Sequence, residues 1–106
     1  MANEPPTGVL FHSKLGTSEM RTRLQEKMPE FNWRLGDSEQ YRDYYISGKR
    51  TDGLKIEIQP EDAPGEYYLG VYFHEMAVLP EAKEKLAIAQ QIHKDVLPIV
   101  KGIRKA

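Results

Sequence analysis

Two runs separated by a short polar link decide the fold: LKIEIQ at residues 54–59 and YYLGVYFH at residues 67–74. Leu54, Ile56 and Ile58 alternate with Lys55, Glu57 and Gln59, so an extended chain has one apolar face and one wet face. This period of two is the pattern of an antiparallel strand that covers a core on one side only. In the second run Tyr67, Leu69, Val71 and Phe73 share a face, opposite Tyr68, Gly70, Tyr72 and His74. Between the runs, Ala63-Pro64-Gly65-Glu66 suits a type II turn, with proline at the second position and glycine at the third, where φ is positive.

Working outward, YRDYYIS at 41–47 is rich in the aromatic and β-branched residues that favour strands. It connects to Leu54 through the polar stretch Gly48 to Gly53, which ends in the hairpin signal Asp52-Gly53. Two successive hairpins make a meander. Trp33 to Leu35 adds a possible fourth strand, with Gly36-Asp37-Ser38 as the turn after it. Val9-Leu10-Phe11 is too short to assign to helix or strand.

Helical periodicity flanks the sheet. Met20, Leu24 and Met28 form one stripe, with Thr17 or Ser18 as N-cap and Pro29 as terminator. From Pro80 onward, Ile88, Ala89, Ile92, Val96, Ile99, Val100 and Ile103 fall on one face at 3.6-residue spacing. Pro98 lies inside that pattern and predicts a kink or a break. Residues 1–8, with Pro5-Pro6 and Gly8, read as a flexible lead-in, and residues 9–106 as one domain. The expected fold is α+β: a three- to four-stranded antiparallel meander with an N-terminal helix and a long C-terminal helix packed on one face.

Composition narrows the function classes. The 106 residues carry 15 basic and 16 acidic side chains, and neither half shows a block of one sign. Nucleic-acid binding through phosphates is therefore not the expected role, since it usually brings a basic excess. With no cysteine, disulfides, thiolate metal sites and cysteine nucleophiles are excluded. No apolar run approaches the ~20 residues of a membrane helix. A cytoplasmic location, without membrane association, is expected.

Chemistry-bearing residues are sparse. His12, His74 and His93 sit on three different elements without the paired spacing of a metal site. Glu57 and Asp43, on adjacent strands, read as solvated charges, as do Lys49 and Arg50 at the hairpin. Gly36-Asp37-Ser38 matches three residues of the serine block of GDSL-type esterases, but no Asp-x-x-His pair follows it. A polar turn accounts for those residues. No catalytic residue, cofactor or metal is expected.

The tyrosines stand out. All six lie between residues 41 and 72, on the expected strands. If Leu54, Ile56 and Ile58 face the core, the opposite parity places Tyr41, Tyr45, Lys55, Glu57, Tyr68, Tyr72 and His74 on the helix-free face. Tyrosine joins rigid contact area to a polar tip, a combination enriched at protein interfaces. The expectation is a non-catalytic module of the inhibitor, immunity or chaperone type, binding another protein or a second copy through this face. The alternatives are a single-stranded nucleic-acid binder using sheet aromatics and a small enzyme or ligand-binding domain with its site between sheet and helix. Cross-strand packing of the tyrosines among themselves explains the same residues without any partner.

Overall fold

The alternating run at the middle of the sequence becomes the middle strand of the sheet. The computed structural model describes residues 8–36 and 44–102. Along them run β1 (Gly8–His12), α1 (Thr17–Lys27), β2 (Asn32–Gly36), β3 (Tyr45–Lys49), β4 (Lys55–Pro60), β5 (Glu66–Tyr72) and α2 (Ala82–Lys101). The strands form one antiparallel sheet in the order β1-β5-β4-β3-β2. The fold is α+β, with the short and the long helix packed on the sheet as the residue pattern predicts.

The fifth strand comes from the unassigned run at Val9 to Phe11. Three apolar residues have no period of their own, and pairing with β5 settles their conformation: Val9 lies opposite Leu69 and Phe11 opposite Tyr67. The rings of Phe11 and Tyr67 stack with centroids 5.5 Å apart. Phe11 thus joins the core while Leu10, of opposite parity, is 56% exposed.

One layer of apolar side chains lies between sheet and helices. Ile46, Ile56, Ile58, Leu69, Val71 and Trp33 from the strands are all buried. Against them α1 contributes Met20 and Leu24, and α2 contributes Ala89, Ile92, Val96 and Val100. Burying each large member stabilises the fold by about 1.5–3 kcal/mol relative to exposure. α1 packs against α2, β2 and β3, while α2 packs against β1 and β5.

Several boundaries differ from the sequence reading. The N-cap of α1 is Gly16, not Thr17 or Ser18, and no side chain caps that end. Thr17 instead starts the helix, is buried, and its hydroxyl has no hydrogen-bond partner among the described residues. The long helix begins at Ala82 with Glu81 as cap, so Pro80 precedes it. It continues through Pro98 to Lys101 without a break. The bond that Pro98 cannot make would go to Lys94, an exposed residue one turn earlier.

Gly48 and Lys49 belong to β3 and not to the hairpin connection, because the Trp33 ring lies on Gly48 from the paired strand β2. The connection is Arg50 to Leu54, closed by Arg50 N–H to Leu54 O and Gly53 N–H to Arg50 O, both at 2.9 Å. The next turn forms as read: Glu66 N–H donates to Ala63 O at 3.1 Å, and Gly65 has φ +80°. Tyr41, Asp43 and Ile103 lie outside the described residues.

Candidate partner-binding face of the sheet

Alternation along five paired strands fixes which side chains share the face without helices. Register sets them in rows across the sheet. One row runs Gly8, Gly70, Glu57, Ser47, Arg34; a second contains Leu10, Tyr68 and Gln59; a third contains Tyr72, Lys55, Lys49 and Asn32. Tyr45 pairs with Gly36 at one end of β3. Five of the seven residues expected on this face, Tyr45, Lys55, Glu57, Tyr68 and Tyr72, are therefore brought together. Tyr41 lies outside the described residues.

His74 lies beyond the strand but beside Tyr72. It falls in the turn after β5, where strand alternation no longer applies, and its ring meets Tyr72 edge-on at 6.2 Å. The side chains of His74 and Glu75 approach to 3.8 Å.

The tyrosines do not stand up from the sheet. They lie on glycines. A Cβ on Gly70 would fall 2.7–2.9 Å from the ring and hydroxyl of Tyr72. Cβ atoms on Gly8 and Gly36 would meet Tyr68 and Tyr45 in the same way. A glycine leaves a gap in a sheet surface, and an aromatic ring laid over it restores contact and shields the backbone. Gly8 and Gly70 are directly paired, so Tyr68 and Tyr72 together cover a single two-residue floor. All three tyrosines are consequently half-buried. Parity in the sequence gave their side of the sheet, whereas the glycines beneath Tyr45 and Tyr68 come from other strands and are visible only through register.

Charge on this face is internally compensated near its centre. Lys55 and Glu57 pair at 3.2 Å, and Gln59 donates to Glu57 at 3.0 Å. Beyond the ends of the strands Glu75 gathers Lys49 at 2.8 Å and Lys55 at 3.8 Å. The hydrogen bond and charge of Lys49, with smaller pulls from Lys55 and His74, hold the Glu75 carboxyl below the ordinary carboxylate range. Glu57 faces Ser47 and Gly70 on its two neighbours, so no second carboxylate stands directly opposite it.

Sequence reasoning missed Leu10. It is the apolar side chain on this face that is most open to solvent, and it sits opposite Tyr68 on the edge strand. Its signal was present in the polarity of its neighbours, Val9 and Phe11 inward, but could be used only once β1 was known to be a strand. Among the described residues no group of three metal-ligating side chains converges, and no helix is long and apolar enough to cross a membrane. No family model, curated protein or solved structure matches the chain.

Proposed function

We propose that this chain is a non-catalytic protein-binding module that works in the cytoplasm and uses the helix-free sheet face to hold an inhibited, neutralised or chaperoned partner. The observation that carries the reading is the composition of that face: exposed Leu10 beside the flat rings of Tyr68 and Tyr72, with the Lys55–Glu57 pair next to them. Rings pinned on glycine lose little further freedom on docking, which lowers the entropic cost of an interface. The pairing of Lys55 with Glu57 leaves this face without the basic excess that a nucleic-acid strand would need, which favours a protein partner.

The test is capture from lysate of the native organism after nuclease treatment, compared between wild type, Leu10→Asp and Gln90→Asp. Leu10 and Gln90 are both exposed, so both variants keep the fold. The reading expects one protein retained by wild type and by Gln90→Asp and lost by Leu10→Asp. Equal retention by all three would move binding elsewhere on the molecule, and empty eluates from all three would remove the proposal.

A further inference from the structure

Away from the middle of the sheet face, where the chain leaves β1, three segments meet around an open crevice of about 440 Å³ lined by His12, Ser13, Lys14, Pro64, Gly65 and Lys101. Its walls are tied to one another through Ser13. The Ser13 N–H donates to Gly65 O at 2.9 Å. The Ser13 hydroxyl donates to Val100 O at 2.6 Å and accepts from the Leu15 N–H at 3.1 Å. The β1 exit, the β4–β5 turn and the end of α2 are thereby held as one frame.

Those bonds also set the polarity of the crevice. The Gly65 carbonyl, which would repel an anion, is already engaged by the Ser13 N–H. Lys14 and Lys101 form no ion pair among the described residues, although both residues line the same opening. His12 adds a ring nitrogen, 3.6 Å from the Glu66 carboxylate at the rim. We propose that this crevice binds a small dianion of the phosphate class, with Lys14 and Lys101 as its charged donors. Two ammonium groups attract a dianion about twice as strongly as a monoanion at equal distance. They also outweigh the single negative charge of Glu66. The volume exceeds that of a bare ion, leaving space for a small organic group carrying the phosphate. The site is separate from the tyrosines, and its test does not depend on the protein-binding reading.

The experiment is an amide NMR titration of the whole chain with inorganic phosphate, beside sodium acetate and sodium chloride at matched ionic strength. The expected result is saturable shifting of the Ser13, Lys14, Gly65 and Lys101 amides with phosphate alone. Lys14→Ala combined with Lys101→Ala should weaken binding about tenfold or more, the loss expected of charge-assisted contacts. Both lysines are exposed, and an unchanged spread of the spectrum confirms that the variant is folded. Unsaturated shifts, shifts reproduced by chloride, or an unchanged affinity in the double variant would overturn the site. Equal saturation by acetate would overturn its preference for a dianion.

Discussion

Gly48→Ala tests the packing that places β2 beside β3. A Cβ on Gly48 would lie 2.5 Å from Cε3 and Cζ3 of Trp33 and 2.9 Å from its Cδ2. Carbon atoms in contact settle about 3.5–4.0 Å apart, so the ring would have to retreat by about 1 Å. It has little room to do so. Trp33 is 1% exposed, its indole N–H donates to Met28 O at 2.9 Å, and Phe31 stands 5.3 Å away, centroid to centroid. Overpacking of this kind costs about 1–3 kcal/mol, and stretching the buried indole bond adds about 1 kcal/mol. Alanine in place of strand glycine returns about 0.5–1 kcal/mol. The net loss is about 2 kcal/mol, or about 10 °C in Tm for a domain of this size. Trp33 is the sole tryptophan, so urea unfolding followed by its fluorescence reports both stability and the surroundings of the ring. Gly16→Ala is the control, because nothing lies within 4 Å of its added Cβ. It should stay within about 0.5–1 kcal/mol of wild type, since a weaker N-cap offsets the gain in backbone stiffness. A Gly48→Ala protein as stable as wild type, with unshifted emission, would refute the Trp33–Gly48 contact and the reason given for extending β3 past Ser47.

Two further outcomes follow from single contacts. Tyr68→Ala uncovers Gly8 and should cost about 1 kcal/mol, at the upper end for a cross-strand pair; a midpoint in urea equal to that of wild type would show that the ring does not rest on Gly8. Asp52 accepts two hydrogen bonds from Arg50, at 3.0 and 2.8 Å, which chiefly lower its carboxyl pKa. As pH falls, the unfolded chain takes up this proton before the folded one. The contribution is therefore present above the ordinary carboxylate range and disappears as acidification passes through the depressed value. Both side chains are partly exposed to solvent, which screens the pair, so the contribution is at most about 1 kcal/mol. Stability of Asp52→Asn should fall less steeply with acid than that of wild type, and parallel pH profiles would refute the pairing.

Legibility in the sequence tracked the range of the interaction. Alternation at Leu54–Gln59 and Tyr67–Phe73 depends only on neighbours along the chain, and each inward residue it names is buried. The stripe of α2 was readable for the same reason. The caps were read less well, because Thr17 can hydrogen-bond locally in more than one way, and its burial under the fold, not its capping preference, decided its position.

From the residues alone it follows that the runs 54–59 and 67–72 have one apolar and one wetter side, that a type II turn joins them at Gly65, and that a long amphipathic helix completes the core. These follow from side-chain period and from the steric freedom of individual residues, which no distant contact is needed to express. Tertiary structure alone decided that Gly8–His12 closes the sheet against β5, that Gly48 lies under Trp33, that three tyrosines rest on glycines, and that Lys14 and Lys101 line one crevice. Each of these joins residues far apart in the chain, Lys14 and Lys101 most of all. Such contacts depend on register and on the packing of whole elements, and local sequence holds no record of either.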